Sequence, residues 1–480
     1  MRPIISWAEC ARLSQPGWVR DDSFAVDGTR SLRPAAQPVH AGSLNPRNPF
    51  QINDMRVLVV GGGAREHALV WKLAAERDAG EVICAPGNAG IARIARCVPI
   101  DPADPDALLH LARRELVDLT IVGPEQPLAA GVADRFADDH RLLFGPRRAA
   151  AELESSKAFA KDFMSRHGIP TARYAICRSV ADGLTILNRD DFGYPVVLKA
   201  DGLAAGKGVV IAQTRAEAEA AISAAMVARR FGEAGARLVV EEHLSGPEVS
   251  FFAVCDGTHA VPLVSAQDHK RAFDDDRGPN TGGMGAVAPS PLMDRALHER
   301  VMTTIVEPVM AGLAAEERPY RGFLYVGLML TPAGPRVIEF NVRLGDPEAQ
   351  VVLPMIEGNL LPMLAGAAAG DVGRSRLQVR DEPHVGVVMA SGGYPGAYAT
   401  GKAIEGLEVA EAMTGVIVFH AGTARRDGRL ETSGGRVLTV VGHGSDVGTA
   451  IDRAYAAVGQ IRFEGSHVRT DIGRRARDPA

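Results

Sequence analysis

The stretch IEFNVRLGDPEAQ, residues 338–350, combines residue types that can bind a metal ion and a phosphoryl group. Side chains alternate between two faces along a β-strand, so Glu339, Asn341 and Arg343 are predicted to share one face. Ile338 and the other apolar residues, at the positions between these polar residues, would form the opposite, buried face. Oxygen ligands suit a hard metal ion, and a fixed guanidinium suits a transferred phosphate. We therefore predict Glu339 and Asn341 as metal ligands and Arg343 as a catalytic residue. An ordinary half-exposed strand also alternates, but the turn that follows favours a functional site.

A glycine-rich stretch, VVLKADGLAAGKGVVIA at 196–212, predicts a loop that closes over phosphates. Both flanks are β-like, so the loop joins two strands, whereas a Walker loop joins a strand to a helix. Backbone N–H groups at Gly206 and Gly208 and the Lys207 ammonium can bind phosphate oxygens. Lys199, on the first strand, adds a second positive charge. Glycine-rich hairpins without a ligand are common, so this hypothesis depends on the neighbouring segments.

The segment LVVEEHLSGPE, 238–248, is the predicted nucleoside contact. It predicts a strand that leads into a connector. Groups around Glu241, Glu242 and Leu244 can pair with an adenine edge, and Glu248 can bind ribose hydroxyls. The alternative is an acidic cluster that faces solvent.

A further lysine comes from LESSKAFAKDFMSRHGIP, residues 153–170. The pattern predicts an amphipathic helix that ends at Gly168 and Pro170, with Lys157 near its start. A surface lysine is the default interpretation of Lys157 from this pattern, and a contact with the nucleotide is the alternative.

From Met55 to about residue 145 the sequence alternates strand-like and helix-like segments, which predicts a parallel sheet covered by helices. Ligands bind at the carboxyl ends of such strands, where GGGAREH (61–67), PGNAG (86–90) and GPEQP (123–127) occur. Glycines ahead of a helix N-terminus expose backbone N–H groups, so a sugar phosphate is the predicted ligand, although the glycines can also serve only as tight turns. The predicted substrate-binding residues are Gly63, Arg65, Glu66, Gly87, Asn88, Gly123, Pro124 and Glu125.

The segment SAQDHKRAFDDDRGPNTGGMGA, 265–286, is too rich in turn formers to be one helix or strand throughout. It is predicted to form the floor between the nucleotide and a second substrate. Asp274–Asp276 are interpreted as a solvated acidic run and His269 as a structural histidine. Residues predicted to orient substrates or to offer amide donors are Asp268, Lys270, Arg271, Asn280, Gly282 and Gly283, and catalytic roles are also assigned to Asp268 and Lys207.

Length and composition exclude several classes of protein. A chain of 480 residues, 46% of them hydrophobic, is long enough for several domains of about 100–200 residues. A net charge of −5 argues against nucleic-acid binding, and no apolar run approaches the roughly 18 residues of a membrane helix. The five dispersed cysteines lack a CxxC spacing and indicate reduced thiols in a cytoplasmic protein.

Residues 1–54 show no sustained periodicity, and their acidic residues argue against a transit peptide. We interpret them as a disordered extension or a misassigned start, with Met55 as the initiator.

After about Asp371 the pattern changes to short strands, GVVMASGG, VIVFHAGT and RVLTVVG, followed by a helix near 446–460. This pattern predicts a small α+β domain that packs against the rest. The predicted fold class is therefore α/β and α+β multidomain.

The motifs together resemble those of the phosphoribosylamine–glycine ligases, also called glycinamide ribonucleotide synthetases, which are ATP-grasp enzymes of purine synthesis. They occur in the family's order from residue 55 to about 475, and the ordered set is far more specific than any one motif. Ala64 and Ser155 stand where the family often has glycine, and residues 1–54 have no counterpart. The motifs are GGGAREHA, APGNAG, TIVGPE, SKAFAKDF, KADGLAAGKGV, SAQDHKR, GPNTGGMGA and RLGDPEAQ.

The resemblance implies a site and a reaction. ATP would be a co-substrate, with Lys157 and Lys199 on its phosphates and Mg²⁺ or Mn²⁺ on Glu339 and Asn341. Glycine would be activated as glycyl phosphate and then captured by 5-phosphoribosylamine. A monomer is expected, with no nucleic-acid or membrane partner and with transient contacts to neighbouring purine enzymes. The implied domains are 55–156 for phosphoribosylamine, 157–370 for the ATP-grasp, with a mobile clamping subdomain at 172–244, and 371–475 as a closing domain.

Three alternatives remain at this point. Another ATP-grasp carboxylate–amine ligase or a carboxylase would share the strand that bears Glu339, although SAQDHKR and RLGDPEAQ argue against it. A nucleotide-binding regulator without turnover would lack a metal ligand or a lysine, and none is missing. An oxidoreductase would need glycine or alanine at Glu66 and an acidic residue at Ala85 or Pro86.

Overall fold

The amino-terminal layer is a parallel sheet with its central strand buried on both faces. The structure is a computed structural model that describes residues 54–203, 208–373 and 375–477. Its first elements are β1 Met55–Gly61, α1 Ala64–Ala74, β2 Ala79–Pro86, β3 Arg96–Cys97, α2 Pro105–Arg114, β4 Leu119–Val122, α3 Glu125–Ala130, α4 Val132–Asp138, β5 Leu143–Phe144 and α5 Arg148–Ser155. The sheet order is β3-β2-β1-β4-β5, and all pairs are parallel. Val57 and Leu58 belong to hydrophobic clusters on opposite faces of β1, so the predicted covered parallel sheet is confirmed.

The helix predicted over 153–170 is instead two helices. α5 ends at Ser155, and α6 Lys157–Arg166 begins after a break at Ser156. Ser156 has extended backbone geometry, and its hydroxyl accepts the Phe159 N–H as an N-cap. Serine competes for backbone hydrogen bonds and so favours a cap over a helix interior, which explains the break. As a result Lys157 lies at the very start of a helix.

A small antiparallel sheet follows, with a hydrophobic core of its own. Its elements are β6 Tyr174–Cys177, α7 Val180–Arg189, β7 Val196–Ala200, β8 Val209–Ala212, α8 Arg215–Ile222 and β9 Leu238–Glu242. The order is β6-β9-β7-β8, and the core between 177 and 240 involves only this segment. β7 and β8 flank the glycine-rich loop, as the sequence predicted. Gly206 and Lys207 lie outside the described residues.

The central region carries the strand with the candidate metal ligands. Its elements are β10 Glu248–Asp256, β11 Ala260–Pro262, β12 Gln267–Asp268, β13 Arg271–Phe273, β14 Arg277–Asn280, β15 Gly285–Ala288, α9 Arg295–Val301, α10 Glu307–Ala315, β16 Arg321–Thr331 and β17 Gly334–Asn341. β11, β10, β16 and β17 form one sheet. Two corrections apply to β17. The register against β16 shifts between Gly327 and Leu328, which leaves Ile338 unpaired in a bulge, half-buried and off the apolar face. The strand also ends at Asn341, so Arg343 lies beyond it.

The carboxy-terminal sheet draws two of its strands from the central region. The remaining elements are α11 Glu348–Val352, β18 Ile356–Glu357, α12 Leu361–Ala369, β19 Gln378–Val379, β20 His384–Ala390, α13 Leu407–Glu411, β21 Val416–His420, β22 Thr423–Arg426, β23 Arg429–Thr432, β24 Arg436–His443, α14 Val447–Val458 and α15 Arg474–Arg477. The sheet order is β12-β15-β20-β24-β21. The segment predicted as the floor of the site is therefore continuous with the carboxy-terminal layer.

One hydrophobic cluster joins the three layers. It contains Val57 of the amino-terminal sheet, Phe252 of the central sheet and Phe419 of the carboxy-terminal sheet. The small sheet of β6 to β9 lies outside this shared core. Within the described part of the chain, no helix has the length and apolar character needed to cross a membrane.

Candidate active site

Two lysines share one buried carboxylate where the small sheet meets the central sheet. Lys199 on β7 lies 3.0 Å from a Glu241 oxygen and donates to the Ile338 carbonyl at 3.1 Å. Lys161 on α6 lies 3.0 Å from the same Glu241 oxygen and also donates to the Thr171 hydroxyl. The second Glu241 oxygen is buried and has no hydrogen-bond partner among the described residues. It can therefore accept a hydrogen bond from a ligand.

Lys157 lies beside this cluster at the start of α6. Its ammonium donates to the Gly202 carbonyl at 2.8 Å, at the entrance of the glycine-rich loop. Burial lowers the pKa of Lys157, and the charge of Lys199 adds to this effect, although Glu339 opposes it. A buried cation in such surroundings gains from an incoming anion such as a phosphate. Gly208 is the first described residue after the loop.

The two glutamates at the end of β9 point in opposite directions. Glu241 faces the lysines, whereas Glu242 accepts hydrogen bonds from the Arg173 guanidinium at 2.6 Å and from the Arg173 N–H at 2.9 Å. The Glu242 carboxylate is therefore engaged within the protein, and its backbone N–H donates to the Arg173 carbonyl at 3.0 Å, so a predicted adenine contact at this residue would use its carbonyl. Leu244 is half-buried in the connector that follows.

Lys270 lies between Glu248, the predicted ribose contact, and Glu339, a predicted metal ligand. Its ammonium lies 2.9 Å from Glu248 and 3.6 Å from Glu339. Burial opposes a charge on Glu339, but Lys270 and other nearby cations bring the pKa of Glu339 below its usual value. The Glu339 side chain is 37% exposed. It is thus an ionised oxygen donor that a ligand can reach.

Glu339 and Asn341 fit a hard metal ion. They lie two positions apart on β17, and both are half-buried. No group of three or more His, Cys, Asp or Glu side chains suited to a metal occurs in the described ranges. A zinc-type site is therefore not supported there. One carboxylate and one amide oxygen match the way Mg²⁺ binds when phosphate and water complete its shell.

Arg343 is held between two carboxylates from different segments. Its guanidinium lies 3.1 Å from Glu125 and 2.9 Å from Glu154, and the Arg343 side chain is 17% exposed. Although burial opposes it, Arg343 and Arg65 hold the pKa of Glu125 at about 2. Burial raises the pKa of Glu154 to about 7, and the Glu125 charge adds to this despite the Arg343 cation. Arg343 therefore connects the turn at 123–127 to the strand of the metal ligands.

Glu66 supports the first glycine turn from inside. Its carboxylate accepts the Gly63 N–H at 2.6 Å and the Arg65 guanidinium at 2.7 Å, and Glu66 is 2% exposed. A Cβ at Gly61 or Gly123 would lie within about 2.5 Å of Glu66 atoms. Both Glu66 oxygens accept hydrogen bonds within the protein, so the buried carboxylate supports the turn in this arrangement, and its substrate contact stays a prediction. Glutamate at N3 of a helix serves this capping role.

Asn88 connects the second turn to the first and to the carboxy-terminal sheet. Its amide nitrogen donates to the carbonyls of Gly62 and His420 at 2.9 and 2.7 Å. Its oxygen accepts the N–H groups of Gly90 and Ile91, both at 2.9 Å. The Asn88 side chain therefore shapes the turn and does not offer free donors, which corrects its predicted substrate contact.

Gly87 and Pro124 have backbone roles in the same turns. Gly87 has φ +76°, and a Cβ there would lie 2.3 Å from the Cys97 sulfur. Pro124 precedes α3 with extended geometry and leads into Glu125. Both positions therefore fix the course of the turns.

The amides of the glycine pair at 282–283 are also engaged. The Gly282 N–H donates to the Tyr394 hydroxyl and the Gly283 N–H to the Thr281 hydroxyl, both at 2.9 Å. The prediction that these amides face a reaction intermediate is therefore wrong for this arrangement. Asn280 lies at the end of β14, opposite Arg271.

Arg271 and Asp268 differ in their surroundings. Arg271 donates to the Gly278 carbonyl at 2.8 Å and so closes its own hairpin. Asp268, on β12, is half-buried. Burial raises the pKa of Asp268 well above its usual value, and nearby carboxylates, including Glu348 and Glu248, add to this, although the charge of Lys270 opposes it. Asp268 therefore lies where an ammonium group would be stabilised.

The acidic run Asp274–Asp276 is not simply solvated. Asp274 accepts the Thr470 N–H at 2.8 Å, and Asp276 lies 3.0 Å from Arg469, which is 1% exposed. The hairpin of β13 and β14 is therefore attached to the carboxy-terminal segment. The sequence interpretation was wrong because the partners lie almost 200 positions away.

Several residues of the site were not predicted. Lys161 follows Lys157 by four positions and so shares its helix face, a signal that could have identified it. Glu154 and His420 carry no local signal, because only tertiary contacts bring them to the site.

A small antiparallel sheet and a central sheet that converge on buried lysines, with a Glu–Asn pair on the last strand, define an ATP-grasp ligase fold. The chain belongs to the phosphoribosylglycinamide synthetase family. Profiles of its N domain, ATP-grasp (A) domain and C domain match residues 55–154, 155–349 and 384–475. The resemblance and the fold class inferred from the sequence are thereby confirmed.

Individual relatives agree with this assignment. A phosphoribosylamine–glycine ligase from Xylella fastidiosa is 51% identical over 426 residues, which cover 88% of this chain and 98% of the relative. The crystal structure of phosphoribosylamine–glycine ligase from Thermotoga maritima matches with a TM-score of 0.77 and 33% identity, over 87% of this chain and 100% of that one. The biotin carboxylase domain of Hydrogenobacter thermophilus 2-oxoglutarate carboxylase shares the fold, with a TM-score of 0.64, 19% identity and coverage of 86% and 91%.

Proposed function

We propose that this chain catalyses the ATP-dependent ligation of glycine to 5-phosphoribosylamine, which gives glycinamide ribonucleotide, ADP and phosphate in de novo purine synthesis. The observation that carries the proposal is the position of Arg343. It follows Glu339 and Asn341 closely in sequence and pairs with Glu125 of the amino-terminal turn. A group placed there can contact both the phosphoryl side and the acceptor side of a ligase site.

In the first step a glycine carboxylate oxygen attacks the γ-phosphorus of ATP. The bond from that phosphorus to the β,γ-bridging oxygen breaks, and glycyl phosphate and ADP result. Such a transfer needs positioning and charge neutralisation more than covalent help from the protein. Lys157 and Lys199 would bind phosphate oxygens, and the Arg343 fork would bind two oxygens of the transferred group.

The nucleoside end of ATP would lie along the end of β9. The Glu241 oxygen that has no partner within the described part of the chain suits a donor such as the adenine amino group. Glu248 would accept ribose hydroxyls. The proposed ATP contacts are Lys157, Lys199, Gly206, Lys207, Gly208, Glu241, Glu242 through its backbone, Leu244 and Glu248.

A divalent cation would be held by Glu339 and Asn341, and it would neutralise phosphate charge. We propose Mg²⁺ or Mn²⁺, since both accept this oxygen donor set. The protein's own contribution there is to keep Glu339 ionised through the neighbouring lysines.

In the second step the amine of phosphoribosylamine attacks the acyl carbon of glycyl phosphate. The acyl carbon–oxygen bond breaks, phosphate leaves, and the nitrogen releases a proton. The turns at 61–67, 86–90 and 123–127 would surround the ribose phosphate, with Gly63, Gly87, Gly123, Pro124 and Arg65 among the contacts. The N–H groups of Gly63, Gly87 and Gly123 donate to Glu66, Gly61 and Val60 in this arrangement, so close approach of the glycine backbone and the Arg65 guanidinium would make the contacts. Asp268 and Lys270 would orient glycine.

We propose a cytoplasmic monomer with transient contacts to neighbouring purine enzymes, which would shelter a labile amine. The domain limits proposed from the sequence, 55–156, 157–370 and 371–475, are retained, with 172–244 as the mobile clamp. The separate hydrophobic core of β6 to β9 supports a clamp that moves as a unit.

The test is ADP release by the full chain with magnesium, glycine and freshly generated phosphoribosylamine, with each component omitted in turn. Release that requires both substrates, and that a Glu339→Ala variant lacks, would support the ligase and the metal site together. The matched control is Glu299→Ala, an exposed glutamate on α9 that pairs with Arg295. Release driven by bicarbonate instead would favour a carboxylase and contradict the proposal.

A further inference from the structure

Arg436 extends from the carboxy-terminal sheet into two loops of the active site. It opens β24, and one of its terminal nitrogens donates to the carbonyls of Gly282 and Asp346, both at 2.6 Å. The other terminal nitrogen lies 3.0 Å from the Asp346 carboxylate. A single guanidinium therefore joins the loop at 282–283 to the turn that follows Arg343.

Asp346 also lies next to the amino-terminal domain. Gln350 donates to the Asp346 carboxylate at 2.7 Å and fixes it from the other side. One Asp346 oxygen lies 3.6 Å from the point where a Cβ would stand on Gly63. Arg65 donates to the Leu344 carbonyl at 3.3 Å, so the same turn meets the first glycine turn twice.

The loop at 282–283 has little freedom to move on its own. The Tyr394 hydroxyl accepts the Gly282 N–H at 2.9 Å. A Cβ on Gly283 would lie 2.3 Å from a Pro347 ring carbon, so the two loops are in direct contact. Arg436 and Tyr394 thus hold this loop from the carboxy-terminal domain by its carbonyl and its N–H.

We propose that Arg436 is a positioning residue for the acceptor half of the reaction. It holds the 282–283 loop and the Asp346 turn at the separation that lets the phosphoribosylamine nitrogen reach the activated glycine carbon. This inference rests on the proposed ligase function. Misplacement by about 1 Å can cost about a hundredfold in rate, so a single cross-domain contact can matter. The ATP-side contacts of Lys157 with Gly202 and of Lys199 with Glu241 do not include Arg436.

The test compares Arg436→Met and Arg436→Lys with the wild type in the full chain. For Arg436→Met we expect the KM for phosphoribosylamine to rise about tenfold or more and kcat to fall, with the KM for ATP within about twofold. Arg436→Lys should recover part of the loss, because a point charge can pair with the Asp346 carboxylate but cannot also serve both carbonyls.

The matched control is Arg453→Met. Arg453 is an arginine of the same domain, on α14, and it donates to the His443 carbonyl at 2.7 Å. The Arg453→Met variant should have lower thermal stability, but the ratio of its KM values for phosphoribosylamine and ATP should not change. If Arg436→Met does not fold, Tyr394→Phe removes the hydrogen bond from the Gly282 N–H and should show the same selective rise.

A rise in both KM values together, unchanged kinetics, or the same selective rise in Arg453→Met would overturn the inference. A wild-type protein that releases many equivalents of ADP per enzyme without phosphoribosylamine would contradict the proposed function instead. The two failures are therefore distinguishable.

Discussion

Lys161 and Glu241 form an ion pair at 3.0 Å whose side chains are only 3% and 4% exposed. Lys199 approaches the same Glu241 oxygen from β7, also at 3.0 Å. Two ammonium groups therefore share one carboxylate in a site with little water. Burial lowers the pKa of Lys161 to about 8, although Glu241 opposes this. The cluster is suited to an additional anion, as an ATP phosphate would be.

The shared carboxylate should matter more for stability than either lysine. Glu241→Gln leaves two buried cations without their counter-ion, and breaking such a pair costs about 3–5 kcal/mol. Lys161→Met leaves the Lys199–Glu241 pair neutral overall, so we expect a clearly smaller loss. Denaturant midpoints of the two variants measure the difference. A larger loss in Lys161→Met would contradict this account of the cluster.

Replacement of Arg343 by lysine should reduce kcat by about a hundredfold, because lysine cannot reproduce a planar fork. Lysine keeps the positive charge, so the loss would report on geometry and not on charge alone. Steady-state kinetics under saturating substrates measure it. Arg166→Lys is the control, since Arg166, the last residue of α6, donates to both carboxylate oxygens of Glu316 at 2.9 and 3.2 Å. Near wild-type turnover in Arg343→Lys would exclude a bidentate role.

Gly123→Ala should impair phosphoribosylamine use. The new Cβ would lie 2.1 Å from a Glu66 oxygen, so Glu66 must leave the Gly63 N–H that it accepts at 2.6 Å. The first glycine turn would then change shape, and we expect the KM for phosphoribosylamine to rise about tenfold or more. Gly459→Ala is the control, because a Cβ there meets no atom closer than 3.5 Å and φ is −63°. Equal effects of the two substitutions would contradict the role of Glu66.

His420 should make the fold less stable in acid. Burial lowers the pKa of His420 to about 4, and nearby arginines add to this. The unfolded chain, with a histidine pKa of about 6.5, then binds a proton more readily than the folded one. Stability from the neutral His420 is therefore present above about pH 6.5 and falls as the pH drops toward about 4.

The measurement compares wild type and His420→Gln at about pH 7.5 and about pH 5.5. On acidification the free energy of unfolding of the wild type should fall by about 1.4 kcal/mol more than that of the variant. The reason is that a pH of about 5.5 lies about one unit below the histidine pKa of about 6.5 in the unfolded chain, and one unit corresponds to about 1.4 kcal/mol. Other titrating groups, such as Glu154, occur in both proteins and cancel in the comparison. Identical acid losses would show that His420 is not held neutral.

The sequence alone determined the order of the motifs, the parallel amino-terminal sheet and the loop between β7 and β8. These features are local: glycine turns, apolar strands and helix starts are encoded within about ten residues of one another. The Glu339–Asn341 pair was found for the same reason, because two positions on one strand share a face. The place of Lys157 near the start of a helix favoured a surface lysine, and its phosphate role came from the resemblance to the family.

The partners of the polar groups follow from the packing of the whole chain. Glu66 and Asn88 occur in loops typical of ligand binding, yet their hydrogen bonds go to neighbouring backbone. β12 is two residues long and carries no periodic signal, so its place in the carboxy-terminal sheet follows from pairing with β15. The contact of Arg436 with Asp346 spans 90 positions. Such contacts are selected by the packing of whole layers, which no local pattern encodes.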